Sequence, residues 1–130
     1  MSDVLHLNFN HTDIHDRIRA CSESELDDLD FGVIGFDGGT VVRLYNAFES
    51  KLAGLSPDRV VGQPLFTVVA PCMNNFMVAQ RFEDAADSGA PLDATIDYVL
   101  TLRMRPIKVR LRLLAAPSLP LRYLLVSRPL

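Results

Sequence analysis

The spacing of apolar positions changes near residue 31. Before it, Ile14 and Ile18 sit one helical turn apart and Leu26 and Leu29 three apart, with polar and acidic residues between them. This predicts two short helices, Asp13–Ala20 capped by Thr12, and a second through Glu25, Leu26 and Leu29 capped by Ser24. Neither has enough apolar surface to fold alone, so residues 1–30 are expected to form an N-terminal helical cap that docks elsewhere. From Phe31, the run FGVIGFD reads as a strand, Gly38-Gly39 as a hairpin turn and Thr40–Tyr45 as the partner strand. Asn46 offers a cap for a helix over Ala47–Leu52 that Gly54 stops, and Ser56-Pro57 opens another short helix. Residues 63–72 are apolar and irregular. Met73–Ser88 is expected to be the longest helix, with Phe76, Ala79, Phe82 and Ala86 on one buried face and Gly89 closing it. Three strands follow, roughly 92–103, 106–116 and 120–127, joined by short Pro-containing turns.

Two strands, short helices, a longer helix and three hairpin-linked strands make an α+β fold: a five-stranded antiparallel sheet with helices packed on one face and an N-terminal helical cap. That is the arrangement of PAS sensor domains, with the PAS core over residues 31–130. The chain of 130 residues fits a single domain that needs no disulfide or metal to stabilise its core. No run approaches the roughly 18 apolar residues of a membrane span, and the charged first twenty residues do not read as a signal peptide. With only Cys21 and Cys72, a cytoplasmic setting with free thiols is expected.

Charge changes this picture in one place. All 16 acidic residues precede residue 101, whereas residues 101–130 carry seven bases and no acid. Lys108, Arg110 and Arg112 alternate with Ile107, Val109, Leu111 and Leu113, so one strand face is apolar and the other basic. The expected outcome is a solvated basic face, which an acidic partner could meet; neither nucleic acid nor a membrane is expected as a partner.

Few residues offer chemistry. Cys72 follows Pro71 and precedes the predicted long helix, whose free N–H groups and dipole would favour a thiolate; an inert buried cysteine is the alternative. Glu49 fits a capping box with Asn46, or else points inward with Tyr45 as a protonated donor to a buried acceptor. His11 and His15 have helical metal-ligand spacing but no obvious third ligand, and read as an exposed polar face. Cys21 reads as exposed. No phosphate-binding Gly-rich loop and no Ser/His/Asp or Cys/His set is present, so the chain is not expected to be an enzyme.

Three segments, LDDLDFGVIGFDGG, LYNAFES and VVAPC, together with the tail MRPIKVRLRL, resemble the photoactive yellow protein family of bacterial blue-light receptors. The match runs from about Leu26 to Val126. The resemblance implies p-coumaric acid joined by a thioester to Cys72, next to Ala70 and Pro71. It implies that Tyr45 and a protonated Glu49 donate hydrogen bonds to the phenolate. Blue light would isomerise the chromophore, Glu49 would pass its proton to the phenolate, and the buried carboxylate left behind would release the N-terminal cap. Several pocket positions depart from the family. Ala53 stands for a threonine, Leu55 for an arginine, and Leu100 and Leu102 for aromatic residues, while Met104 matches.

Two functions follow as expectations. One is a photoreceptor that signals through an unidentified protein or a homodimer. The other is a PAS module without photochemistry, whose aliphatic pocket holds another apolar or acyl ligand, or which docks an acyl carrier or regulatory protein.

Overall fold

In the computed structural model, which describes residues 7–101 and 106–128, the sheet carries the expected fold. Its strands are β1 (Gly32–Phe36), β2 (Val42–Tyr45), β3 (Leu92–Leu100), β4 (Ile107–Ala115) and β5 (Arg122–Ser127). They lie in the order β2-β1-β5-β4-β3, each antiparallel to its neighbour. The first hairpin turns over Asp37–Thr40, where the Asp37 side chain accepts from Gly39 N and Val41 N. Thr40, rather than either glycine of the turn, takes the positive φ of 62°.

Alternate side chains of the central strands feed two separate cores. On one face, Ile34, Phe36, Leu111, Leu113, Leu124 and Val126 pack with residues of the connecting segment between β2 and β3. That segment holds α3 (Ala47–Ala53), α4 (Pro57–Val60), a π turn (Leu65–Val69), a 3-10 turn (Pro71–Met73) and α5 (Ala79–Ser88). Phe82 and Phe66 both meet Phe36 edge-on there. On the opposite face, Val33, Leu114, Tyr123 and Leu125 are covered by Leu7, Phe9, Ile14, Ile18, Leu26 and Leu29. These last six belong to the N-terminal segment, which includes α1 (Ile14–Ala20) and α2 (Glu23–Asp27). No described helix is long and apolar enough to cross a membrane.

Several sequence expectations are corrected by side-chain competition. The capping box forms at Ser22 with Glu25, one helical start earlier than the expected Ser24 cap, because both residues face each other across α2's first turn. Thr12 does not cap α1; Asp13 precedes it without a side-chain cap bond. The longest helix starts at Ala79 rather than Met73. Asn75 captures Met77 N and Val78 N with its side-chain oxygen, offering the backbone an alternative to the helix. Phe76 is therefore 79% exposed instead of buried, and Ala86 faces solvent.

The basic face of β4 is neither uniformly solvated nor free of acid partners. Arg110 pairs with Asp97 directly opposite on β3. Arg112 is buried, pairs through two bonds with Asp93, and donates to the carbonyls of Phe9 and His11. The guanidinium thus clamps the N-terminal segment to the sheet.

His15 also departs from expectation. It packs edge-on against Tyr123 with its Nε2 buried and unpartnered, and no group of three metal-ligating side chains forms among the described residues. Cys21 is half-buried, its thiol donates to the Arg17 carbonyl, and burial pushes its pKa up.

Replacing Arg112 by Met should lower stability by about 2 kcal/mol, because two backbone carbonyls lose a charged donor while half-exposed Asp93 regains water. Hydrogen exchange should show the amides of α1 accelerating before those of β5; equal acceleration everywhere would contradict the clamp. His15 gives a pH signature. Burial, with the charge of Arg19, lowers its pKa against the opposing Asp16 and Asp93. The folded state therefore binds fewer protons than the unfolded one, and stability fully present above the unfolded value of pH ~6.5 is lost as pH falls from there through the lowered folded pKa. Denaturant titrations of His15→Phe should show a flatter profile over that range.

Candidate functional site

Cys72, Tyr45 and Glu49, singled out by sequence, lie on the helical face of the sheet, in two clusters. Tyr45 ends β2, and the next residue, Asn46, caps α3. The Asn46 side chain is fully engaged: its oxygen accepts from Glu49 N and Val33 N, and its amide donates to the Leu26 and Phe31 carbonyls. Asn46 N is itself held by the Val33 carbonyl. Glu49 therefore has no free cap N–H to reach back to, and the expected capping box does not close. Its carboxyl turns inward instead.

There Glu49 meets Arg128, the residue after β5, in a two-pronged ion pair with N···O distances of 2.6 and 3.0 Å. Only 10% of the Arg128 side chain and 4% of the Glu49 side chain are exposed. The two parallel N–H···O contacts engage both carboxyl oxygens of Glu49. One Arg128 donor, Nε, is buried without a partner among the described residues. Gly32 of β1 supplies the space: a Cβ there would lie 2.1 Å from Glu49 Oε1. Tyr45 is buried beside this pair. Burial first, then the charge of Glu49, push its phenol far above the ordinary value, with Arg128 opposing, so it is held as a neutral O–H.

The second cluster surrounds Cys72. The thiol is half-buried in the 3-10 turn and packs against the core that contains Tyr45, Ala70, Met73 and Leu100. It does not sit at the start of α5, seven residues further on, so the expected placement at that helix's N-terminus is corrected. Its backbone is fixed from β3: the Tyr98 hydroxyl donates to the Cys72 carbonyl, and Asn75 donates to that same carbonyl at 3.2 Å and to the Tyr98 oxygen at 2.7 Å. Tyr98 and Asn75 were not singled out from sequence; the alternation Leu92, Ala94, Ile96, Tyr98, Leu100 was the signal that Tyr98 faces inward. Cys72, Asn75, Met77, Tyr98 and Val109 border a cleft of about 1020 Å³ that Tyr45 and Glu49 do not line.

Of the other expected pocket residues, Leu55 packs on the same core, Ala53 is buried on α3, and Pro71 is exposed beside Cys72. Leu102 and Met104 lie outside the described residues. Tyr45, Ala70, Leu55, Leu100 and Cys72 thus share one apolar cluster, while Glu49 is committed to Arg128.

Replacing Gly32 by Ala should cost about 2–3 kcal/mol, because the new methyl meets a carboxylate that cannot leave its buried partner. Thermal unfolding should show this loss in the wild-type background and much less of it when Glu49 is Ala.

No protein-family model matches the chain. It is 33% identical over 107 residues to the photoactive yellow protein of Rhodothalassium salexigens, covering 82% of this chain and 85% of that one. Among solved structures, the photoactive yellow protein domain from the sensor histidine kinase Ppr of Rhodospirillum centenum matches with a TM-score of 0.80 and 37% identity, over 87% of this chain and 98% of that domain. The PAS domain of the Cronobacter turicensis quorum-sensing receptor RpfR, in complex with BDSF, matches with a TM-score of 0.60 at 13% identity, over 78% of this chain and 96% of its own, and shows the fold alone. The chain belongs to the photoactive yellow protein family, built on the PAS fold.

Proposed function

We propose that the chain is a photoreceptor for short-wavelength light, carrying p-coumaric acid as a thioester on Cys72. Membership of the family supports the reading, and one observation carries it: half-buried Cys72 and the buried phenol of Tyr45 meet the same apolar cluster. An acyl chain leaving the Cys72 sulfur toward that cluster would run among Leu55, Ala70 and Leu100, out of water. Its phenolic end would find Tyr45 as a neutral donor. Acylation transfers the acyl group from an activated donor to sulfur, and the thiol proton leaves with the displaced group.

Isomerisation of the chromophore double bond would then alter packing and charge beside the Glu49–Arg128 pair. For Glu49 to donate a proton to the phenolate, as the resemblance implies, its carboxyl would have to release Arg128. The element suited to respond is the N-terminal segment, held by a separate core and by Arg112. A signalling protein or a second copy of the chain would read that release.

The second reading is a PAS module without photochemistry that holds another apolar or acyl ligand. The aliphatic Leu55 and Leu100, and a Glu49 already committed to Arg128, favour it.

Mixing the purified protein with activated p-coumaric acid separates the two. The photoreceptor reading expects an adduct on the Cys72 peptide by mass spectrometry. Its absorption band should bleach under illumination at its own maximum and recover in the dark. Cys72→Ala should form no band, and Tyr45→Phe should acylate but absorb at a displaced maximum. An adduct indifferent to light, or none at all, favours the second reading.

A further inference from the structure

The hydrogen bonds around the Cys72 carbonyl form a closed set, and that set bears on whatever the thiol carries. We infer that Tyr98 and Asn75 are positioning residues: by pinning the Cys72 carbonyl to β3 they aim the Cys72 side chain, and an acyl group attached to it, toward Tyr45. The acyl half of the inference rests on the photoreceptor reading; the pinning of the thiol does not.

The Tyr98 hydroxyl donates to the Cys72 carbonyl and accepts from Asn75 Nδ2 at 2.7 Å. Nδ2 carries a second hydrogen, which goes to the same Cys72 carbonyl at 3.2 Å. The Asn75 oxygen accepts from Met77 N and Val78 N. Delaying the start of α5 would need that oxygen alone. The amide does something else: it closes a triangle between Cys72, Asn75 and Tyr98.

The surroundings make the triangle rigid. β3 is held against β4 from Leu92 to Leu100, and Tyr98 lies opposite buried Val109, so the sheet sets the position of the hydroxyl. On the other side, Ala70 and Met73 are buried, and Met73 N donates to the Ala70 carbonyl across the 3-10 turn. With its flanks and its own carbonyl held, the Cys72 backbone fixes the direction in which its side chain leaves. Direction is what a conjugated acyl group needs from the sulfur. Such a group is planar and stiff, so a tilt at the thioester is carried to the phenolic end. There a hydrogen bond with Tyr45 tolerates only small errors of distance and angle.

Labelling of the unliganded protein with iodoacetamide, read peptide by peptide in the mass spectrometer, tests the pinning, with Cys21 as the internal reference. Tyr98→Phe keeps the ring and removes the hydroxyl. Asn75→Asp keeps an oxygen for Met77 N and Val78 N and removes the amide donors. In each variant the Cys72 peptide should label about fivefold faster than in wild type, the factor that one net hydrogen bond is worth, with Cys21 unchanged. A Cys72 rate equal to that of wild type, or a Cys21 rate that rises by the same factor, overturns the inference. If Asn75→Asp does not fold, Tyr98→Phe decides.

Protein acylated with p-coumaric acid tests the aim. On the wild-type background, Tyr45→Phe should displace the absorption maximum. On the Tyr98→Phe background the same change should displace it about half as far or less, because the phenolic end no longer meets Tyr45 squarely. Separate sites that share no partner act additively. A full displacement on both backgrounds therefore means that Tyr98 only supports the turn, and the acyl half falls. A maximum that Tyr45→Phe leaves unmoved in wild type overturns it as well. If no thioester forms on any of these proteins, the photoreceptor reading fails and takes the acyl half with it, while the iodoacetamide rates judge the pinning on their own.

Discussion

A carboxylate and a guanidinium enclosed in a protein must neutralise each other, and the Glu49–Arg128 pair imposes that condition on three distant parts of the chain. β1 must present a residue without a side chain, which Gly32 does. α3 must begin where its first turn points a carboxyl at the sheet, which Asn46 secures through four side-chain hydrogen bonds. The segment after β5 must return an arginine to the same place. Every ligand brought near Tyr45 has its charge weighed against this pair, because the low-polarity surroundings that strengthen the pair also penalise any third charge.

A second buried arginine does comparable work on the other side of the sheet. Arg112 joins Asp93 of β3 to the carbonyls of Phe9 and His11, more than a hundred residues earlier in the chain. The two faces share β5: Leu124 and Val126 belong to the core that Cys72 packs against, whereas Tyr123 and Leu125 belong to the core beneath the N-terminal segment. Neighbouring side chains of β5 thus link the core on one face directly to the core beneath the docked segment on the other. The N-terminal side also carries the weaker commitments, with a His15 Nε2 buried without a partner among the described residues and short helices that depend on tertiary contacts.

Much of the fold was legible in the chain because it rests on local periodicity. The glycines at 54 and 89 act over a few residues, and the structure ends α3 and α5 at them as expected. What was misjudged shares a different character. The helical spacing of Phe76 and Ala79 was real, yet Asn75 reached the backbone first and delayed α5. Arg112 had the period of a solvated strand face, yet the N-terminal segment lay on it. Glu49 had the spacing of a capping box, yet Asn46 N was already taken by Val33.

The sequence alone therefore determined the order of the elements, the antiparallel pairing, the family and the trio of Cys72, Tyr45 and Glu49 as the chemically interesting residues. Only the tertiary structure decided the pairing of Glu49 with Arg128, the burial of Arg112 and the anchoring of Cys72 by Tyr98 and Asn75. The reason is physical: periodicity and capping are set by neighbours along the chain, whereas the state of an ionisable group is set by whichever distant partner and how little water the folded interior leaves beside it.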